Sequence, residues 1–100
     1  MSEYKLIVAP EVRYDIREAK LWYKDKSPTL PRRFATEVRT TIEQVKLRPT
    51  THAIRYNNIR IANLPIFPYA IHYTVEENIV VVLAVFHAAL NPEKWLNRNK

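Results

Sequence analysis

At Pro49 the spacing of apolar residues changes from three-and-four to two, which restricts the chain to a helical half followed by a stranded half. Before the switch, Val12, Ile16, Ala19, Trp22 and Tyr23 recur at helical intervals over a segment from about Pro10 to Lys26. Phe34, Val38, Ile42 and Val45 repeat that spacing until Pro49 stops it. The breaker-rich link Ser27-Pro28-Thr29-Leu30-Pro31 separates the two, so the pair reads as a helical hairpin. Ahead of it, Tyr4 to Val8 is a short β-prone run ended by Pro10.

After Pro49, Ile54 and Tyr56 face Ile59 and Ile61 across Asn57-Asn58, a residue pair that tolerates left-handed backbone and suits a hairpin tip. Tyr69, Ile71, Tyr73 and Val75 share one face of the next strand, and Ala70, His72 and Thr74 the other. Glu77-Asn78 is the next turn. Ile79 to Phe86 is apolar at every position, the pattern of a central strand covered on both faces. A tail with Pro92, Trp95 and Leu96 reads as a short helix or irregular end. The expected order is β-α-α-β-β-β plus this tail, with the helical hairpin covering one face of a mostly antiparallel sheet. That is an α+β fold, a two-layer sandwich, formed by a single domain over residues 1–100.

Composition narrows the chemistry. Cysteine is absent, which removes disulfides, thiolate metal sites and a Cys nucleophile. Glycine is absent too, so neither a phosphate-cradling loop nor a dinucleotide fingerprint can form, and no cofactor is expected. The three histidines stand at 52, 72 and 87, outside ligand spacing, and no metal is expected. No apolar run is long enough to span a membrane and the N-terminus lacks the pattern of a signal peptide, which leaves the cytoplasm as the expected location. The net charge of +6 suits an acidic partner: nucleic acid, a ribosome or an acidic protein. On the first helix Arg13, Arg17, Lys20 and Lys24 fall at i, i+4, i+7 and i+11, a basic stripe turned away from Val12, Ile16, Ala19 and Tyr23. Such a stripe is read first as the solvated side of an amphipathic helix, and second as a partner-binding surface. Trp22-Tyr23 reads first as core packing of the hairpin.

The run Arg60, Leu64-Pro65, Phe67-Pro68-Tyr69 with Ile71 and Tyr73, then Ile79 to His87, and finally Pro92 with Trp95, resembles the C-terminal half of RelE/ParE toxins. The likeness is greatest to the ParE-like branch, also called plasmid stabilisation proteins. Ala19, Trp22-Tyr23, Pro28, Leu30, Phe34, Val38, Ile42 and Pro49 stand where that family places its helical hairpin, so the resemblance covers nearly the whole chain. It implies the toxin of a type II toxin-antitoxin pair, with a cognate antitoxin as partner and operator DNA reached only indirectly through that antitoxin, within a possible higher-order complex. RelE-like members are metal-independent ribonucleases that cut mRNA on the ribosome. ParE-like members bind DNA gyrase and trap it on cleaved DNA without processing a substrate themselves.

Two positions separate the branches. Many nuclease members carry an Arg directly after the position matched by Tyr69 and another two beyond that matched by His87. Ala70 and Ala89 stand there in this chain. Alanine neither donates to a phosphate nor moves a proton, which favours the non-enzymatic gyrase-binding branch and sets the mRNA endonuclease, or a non-toxic relative, behind it. A nuclease would have to be built from Arg55, Tyr56, Arg60, His72 and His87. His87 ends the central strand and reads as a capped structural residue before it reads as an acid or base. Arg60 alternates with Ile59 and Ile61 and is expected to project from the face opposite the core. For the antitoxin, a groove between the two layers would take a helix or an added strand, with Arg13, Arg17, Lys20 and Lys24 attracting its acidic residues.

Overall fold

The computed structural model describes residues 3–90 and 92–98, with side chains to Trp95 in the last helix. A strand β1 (Lys5–Val8) leads into helices α1 (Pro10–Lys24) and α2 (Leu30–Leu47), followed by a 3-10 turn at Pro49–Thr51. Strands β2 (Ile54–Tyr56), β3 (Ile59–Asn63), β4 (Tyr69–Glu76) and β5 (Ile79–His87) come next, and helix α3 (Pro92–Arg98) ends the described chain. This is the expected order, with the 54–61 hairpin divided into two strands.

Proline punctuates both helices. Pro10 opens α1 behind an extended Ala9, where its missing N–H is one that the first turn leaves unbonded anyway. Arg48, squeezed by Pro49, leaves the helical region at φ −138 and ψ 66, and α2 stops there. Both central residues of the β2–β3 turn are left-handed, Asn57 at φ 42 and Asn58 at φ 67, matching the right-handed twist of a two-residue hairpin. Glu77, at φ 55, does the same work in the β4–β5 turn without the help of an amide side chain.

The sheet order is β1-β5-β4-β3-β2. β1 runs parallel to β5 and every other pairing is antiparallel. The core lies between one face of this sheet and the hairpin: Val12, Ala19 and Tyr23 of α1 and Phe34, Val38 and Val45 of α2 close over Ile71, Tyr73, Val80, Val82 and Val85. Phe34 is fully buried and stacks edge-on against Phe67 and Tyr69, at centroid distances of 5.3 and 5.0 Å.

Three expectations are corrected. His72 pairs with Ala84 and Tyr73 with Val82, which leaves Leu83 as an extra residue, a bulge that flips the parity of β5. Val80, Val82 and Val85 therefore all face the hairpin, while Ile79, Val81 and Leu83 are only half-buried, so β5 is not covered on both faces along its whole length. Arg60 lies opposite Tyr73, which places it on the hairpin side and not on the face away from the core. The reason is the outer face, where Ile59 is buried and Ile61 half-buried, so their apolarity does not mark the hairpin side. Finally, Tyr23 is buried but Trp22 is 57% exposed; its indole packs edge-on to Tyr23 and under the Lys26 ammonium, 4.5 Å from the ring centre.

Candidate functional site

On the outer face, β2, β4, β5 and α3 bring together Tyr56, His72, Phe86 and Trp95. His72 is 1% exposed, with the rings of Trp95 and Phe86 centred 4.9 and 5.0 Å away. Tyr56 Oη lies 2.9 Å from His72 Nδ1. Burial pushes the Tyr56 phenol above its ordinary pKa, so it keeps its proton and pairs with the ring as a neutral hydroxyl. Burial, reinforced by the charge of Arg55 and opposed by that of Asp15, holds the His72 pKa down at about 4. Ala70, on this same face between Asn63 and Phe86, is buried and adds no polar group.

The other candidates lie elsewhere. Arg60 donates to the backbone oxygen of His52, and its strand partner Tyr73 donates its O–H to Pro49 O at 2.7 Å, so both hold the 3-10 turn against the sheet. His87 sits opposite Tyr69, on the hairpin side, and the Tyr69 pair lies four residues, roughly 13 Å along β4, from the Tyr73 pair that holds Arg60 on the opposite flank. Its Nδ1 accepts the Ala89 N–H at 3.0 Å. His87 therefore caps the turn after β5. Arg55 is exposed on β2. Tyr56 and His72 thus meet on the outer face, within reach of the charge of Arg55, whereas Arg60 and His87 lie on the hairpin side towards opposite ends of β4, so the five do not gather into one cluster. Among the described residues no three His, Asp or Glu side chains gather to hold a metal ion, and no helix is long and apolar enough to cross a membrane.

The basic stripe is brought to a surface with shape. Arg13, Arg17 and Lys20 line a groove of about 510 Å³ whose apolar wall is Val8, Val12 and Ile16, while Lys24 lies outside it. The opposite flank of α1 carries a residue that sequence reading passed over. Asp15 accepts the Val85 N–H at 3.0 Å, just past the bulge, where β1 has ended and β5 has lost its neighbour. Its only signal in the sequence is an acid next to the apolar stripe, one position before Ile16.

The two-layer frame, with its antiparallel sheet and one parallel edge, is accompanied by a family match. The chain fits the model of the ParE toxin of the type II toxin-antitoxin system parDE over residues 6–92. It belongs to the ParE toxin family. A chain from the chromosomal ParDE toxin-antitoxin system of P. aeruginosa shares the fold of this family member with a TM-score of 0.76 at 12% identity, over 85% of this chain and 96% of that one. No curated protein matches by sequence. Membership in the ParE family and the fold resemblance agree on the toxin frame, within which the groove on α1 joins an apolar wall to three cationic side chains.

Proposed function

We propose that this ParE-family chain acts in the cytoplasm as a toxin that binds DNA gyrase without processing a substrate, and that a cognate antitoxin neutralises it. The observation that supports the reading is that the polar groups a ribonuclease would use do not gather into one cluster. Tyr56 and His72 are locked to each other beneath Trp95, Arg60 is spent on the turn at His52, and His87 caps its own turn. Acid-base cleavage of RNA needs a base, a phosphate-binding cation and an acid within reach of one phosphodiester. Ala70 and Ala89 stand where the nuclease branch places two arginines, and neither supplies a substitute. A binding toxin has no such requirement, since surface shape and charge suffice.

Purified chain added to gyrase, relaxed plasmid and ATP should inhibit supercoiling and accumulate cleaved DNA, and should leave mRNA intact in a translating extract. Codon-specific mRNA cleavage without any effect on gyrase would reverse the assignment. In that event His87→Ala and Arg60→Ala would test the remaining polar groups.

A further inference from the structure

The last turns of α2, the 3-10 turn and the end of β3 enclose a cavity of about 460 Å³ that shares no residue with the α1 groove. Its size is that of a small-ligand pocket. The walls are held in place from a distance: Tyr73 and Arg60 fix the 3-10 turn through Pro49 O and His52 O, and Glu37 fixes the loop after β3 through the Ile66 and Phe67 N–H groups. From α2 comes a single stripe, Thr41, Gln44, Val45 and Arg48, which share one face at helical spacing. Thr41 is the informative member. A threonine inside a helix commonly returns its hydroxyl to a carbonyl one turn back. Thr41 is only 7% exposed, yet its side chain makes no hydrogen bond among the described residues, so a buried hydroxyl lines the cavity with its bonding capacity unused.

The rest of the lining defines a ligand. Gln44 and Asn63 each present a carboxamide, which donates and accepts side by side and so matches the edge of a nucleobase. Val45 and Ala62, both buried, form an apolar floor against which a flat ring can lie. Arg48, where α2 stops, adds a cation whose forked donors suit a phosphate. Among the described residues no carboxylate lines the cavity, so a free amino acid or a polyamine would bring an ammonium without a counter-charge. A sugar phosphate would satisfy Arg48 and leave the floor and the carboxamides unused. We propose that this cavity binds a single free nucleotide, with its base on Val45 and Ala62, its base edge paired with Gln44, Asn63 and the Thr41 hydroxyl, and its phosphate on Arg48. The site stands apart from the gyrase reading and needs none of the residues weighed for RNA cleavage.

The test titrates the full chain, followed by NMR, with the 5′-monophosphates of adenosine, guanosine, cytidine and uridine at millimolar concentration. At least one of them should shift the side-chain amide signals of Gln44 and Asn63, while ribose 5-phosphate and inorganic phosphate leave them in place. Arg48→Gln should weaken that nucleotide about tenfold and leave the weaker binding of its nucleoside unchanged. Thr41→Val, which keeps the shape of the side chain, should weaken nucleotide and nucleoside alike by about fivefold. Should Thr41→Val not fold, the Arg48→Gln contrast decides alone. No shift with any of the four nucleotides overturns the proposal. Inorganic phosphate binding as tightly as the nucleotide also overturns it, since Arg48 would then be a plain anion site. A short oligonucleotide that moves these signals where mononucleotides do not would assign the cavity to a nucleic-acid strand and overturn it as well. Gyrase inhibition is measured without added mononucleotide other than ATP, so either reading can fail while the other stands.

Discussion

His72 shows how a residue with the right chemistry is withdrawn from it by its surroundings. Its imidazole stays neutral in the folded chain down to about pH 4, whereas the unfolded chain protonates it below its ordinary value of 6.5. The unfolded state therefore binds the extra proton between those limits. The stability contributed by burying a neutral ring is complete above pH 6.5 and is lost as the pH falls towards 4, by an amount on the order of 3 kcal/mol. Urea unfolding across that range should show the loss, and His72→Leu should flatten it even though the variant starts less stable. An unchanged pH slope in the variant would place the titrating group elsewhere. Tyr73 offers a second check, because its buried O–H bonds the Pro49 carbonyl at 2.7 Å. Tyr73→Phe leaves that acceptor unpaired and should cost about 1–3 kcal/mol in the same measurement.

At the scale of elements, the joints are made by a few side chains reaching across the fold. Glu37 of α2 accepts the N–H groups of Ile66 and Phe67 at 2.8 and 3.0 Å, which ties the β3–β4 loop to the hairpin and seats Phe67 against Phe34 and Tyr23. Asp15 ties α1 to the bulge in β5 in the same manner. The β4–β5 turn is less well served: Glu77 holds a left-handed backbone at φ 55 in a chain that contains no glycine. A Cβ in that region is strained, and relief is partly offset by the greater freedom of glycine in the unfolded chain. Glu77→Gly should thus raise stability by about 0.5 kcal/mol, read as a shift in the urea midpoint at constant slope. A loss of stability would mean that the Glu77 side chain makes a contact worth more than the strain.

The whole molecule carries +6 net charge, and the groove on α1 concentrates part of it beside an apolar edge. Charge of this kind acts at a distance on arrival, while apolar contact governs departure. Arg13→Glu combined with Arg17→Glu should slow antitoxin association about tenfold at low salt and far less at high salt, since the Debye length shrinks from ~10 Å at 0.1 M to ~3 Å at 1 M. Dissociation should change little. Stopped-flow binding across a salt series measures both, with circular dichroism confirming that the variant is folded. Rates indifferent to the mutation and to salt would show that Arg13 and Arg17 only keep the back of α1 in water.

Local periodicity was enough to read the layer architecture. The spacing of Val12, Ile16, Ala19 and Tyr23, the stops at Pro28 and Pro49, and the Asn57-Asn58 tip are all short-range signals, and each element followed from residues within a few positions of itself. That Ala70 and Ala89 stand where many nuclease members carry arginine was implied by the family resemblance and not by periodicity. What lay beyond the sequence was every fact that depends on a neighbour distant along the chain. The bulge at Leu83 arises only when β4 and β5 pair, and it decides which valines of β5 meet the helices. Arg60 faced the hairpin because its register set it opposite Tyr73, although alternation with two isoleucines pointed the other way. The open edge of Leu6, Ile7 and Val8 was equally invisible, since a β-prone run reads alike in the middle of a sheet and at its rim. Whether a strand is covered depends on which others stand beside it, and that order is decided only when the whole sheet assembles.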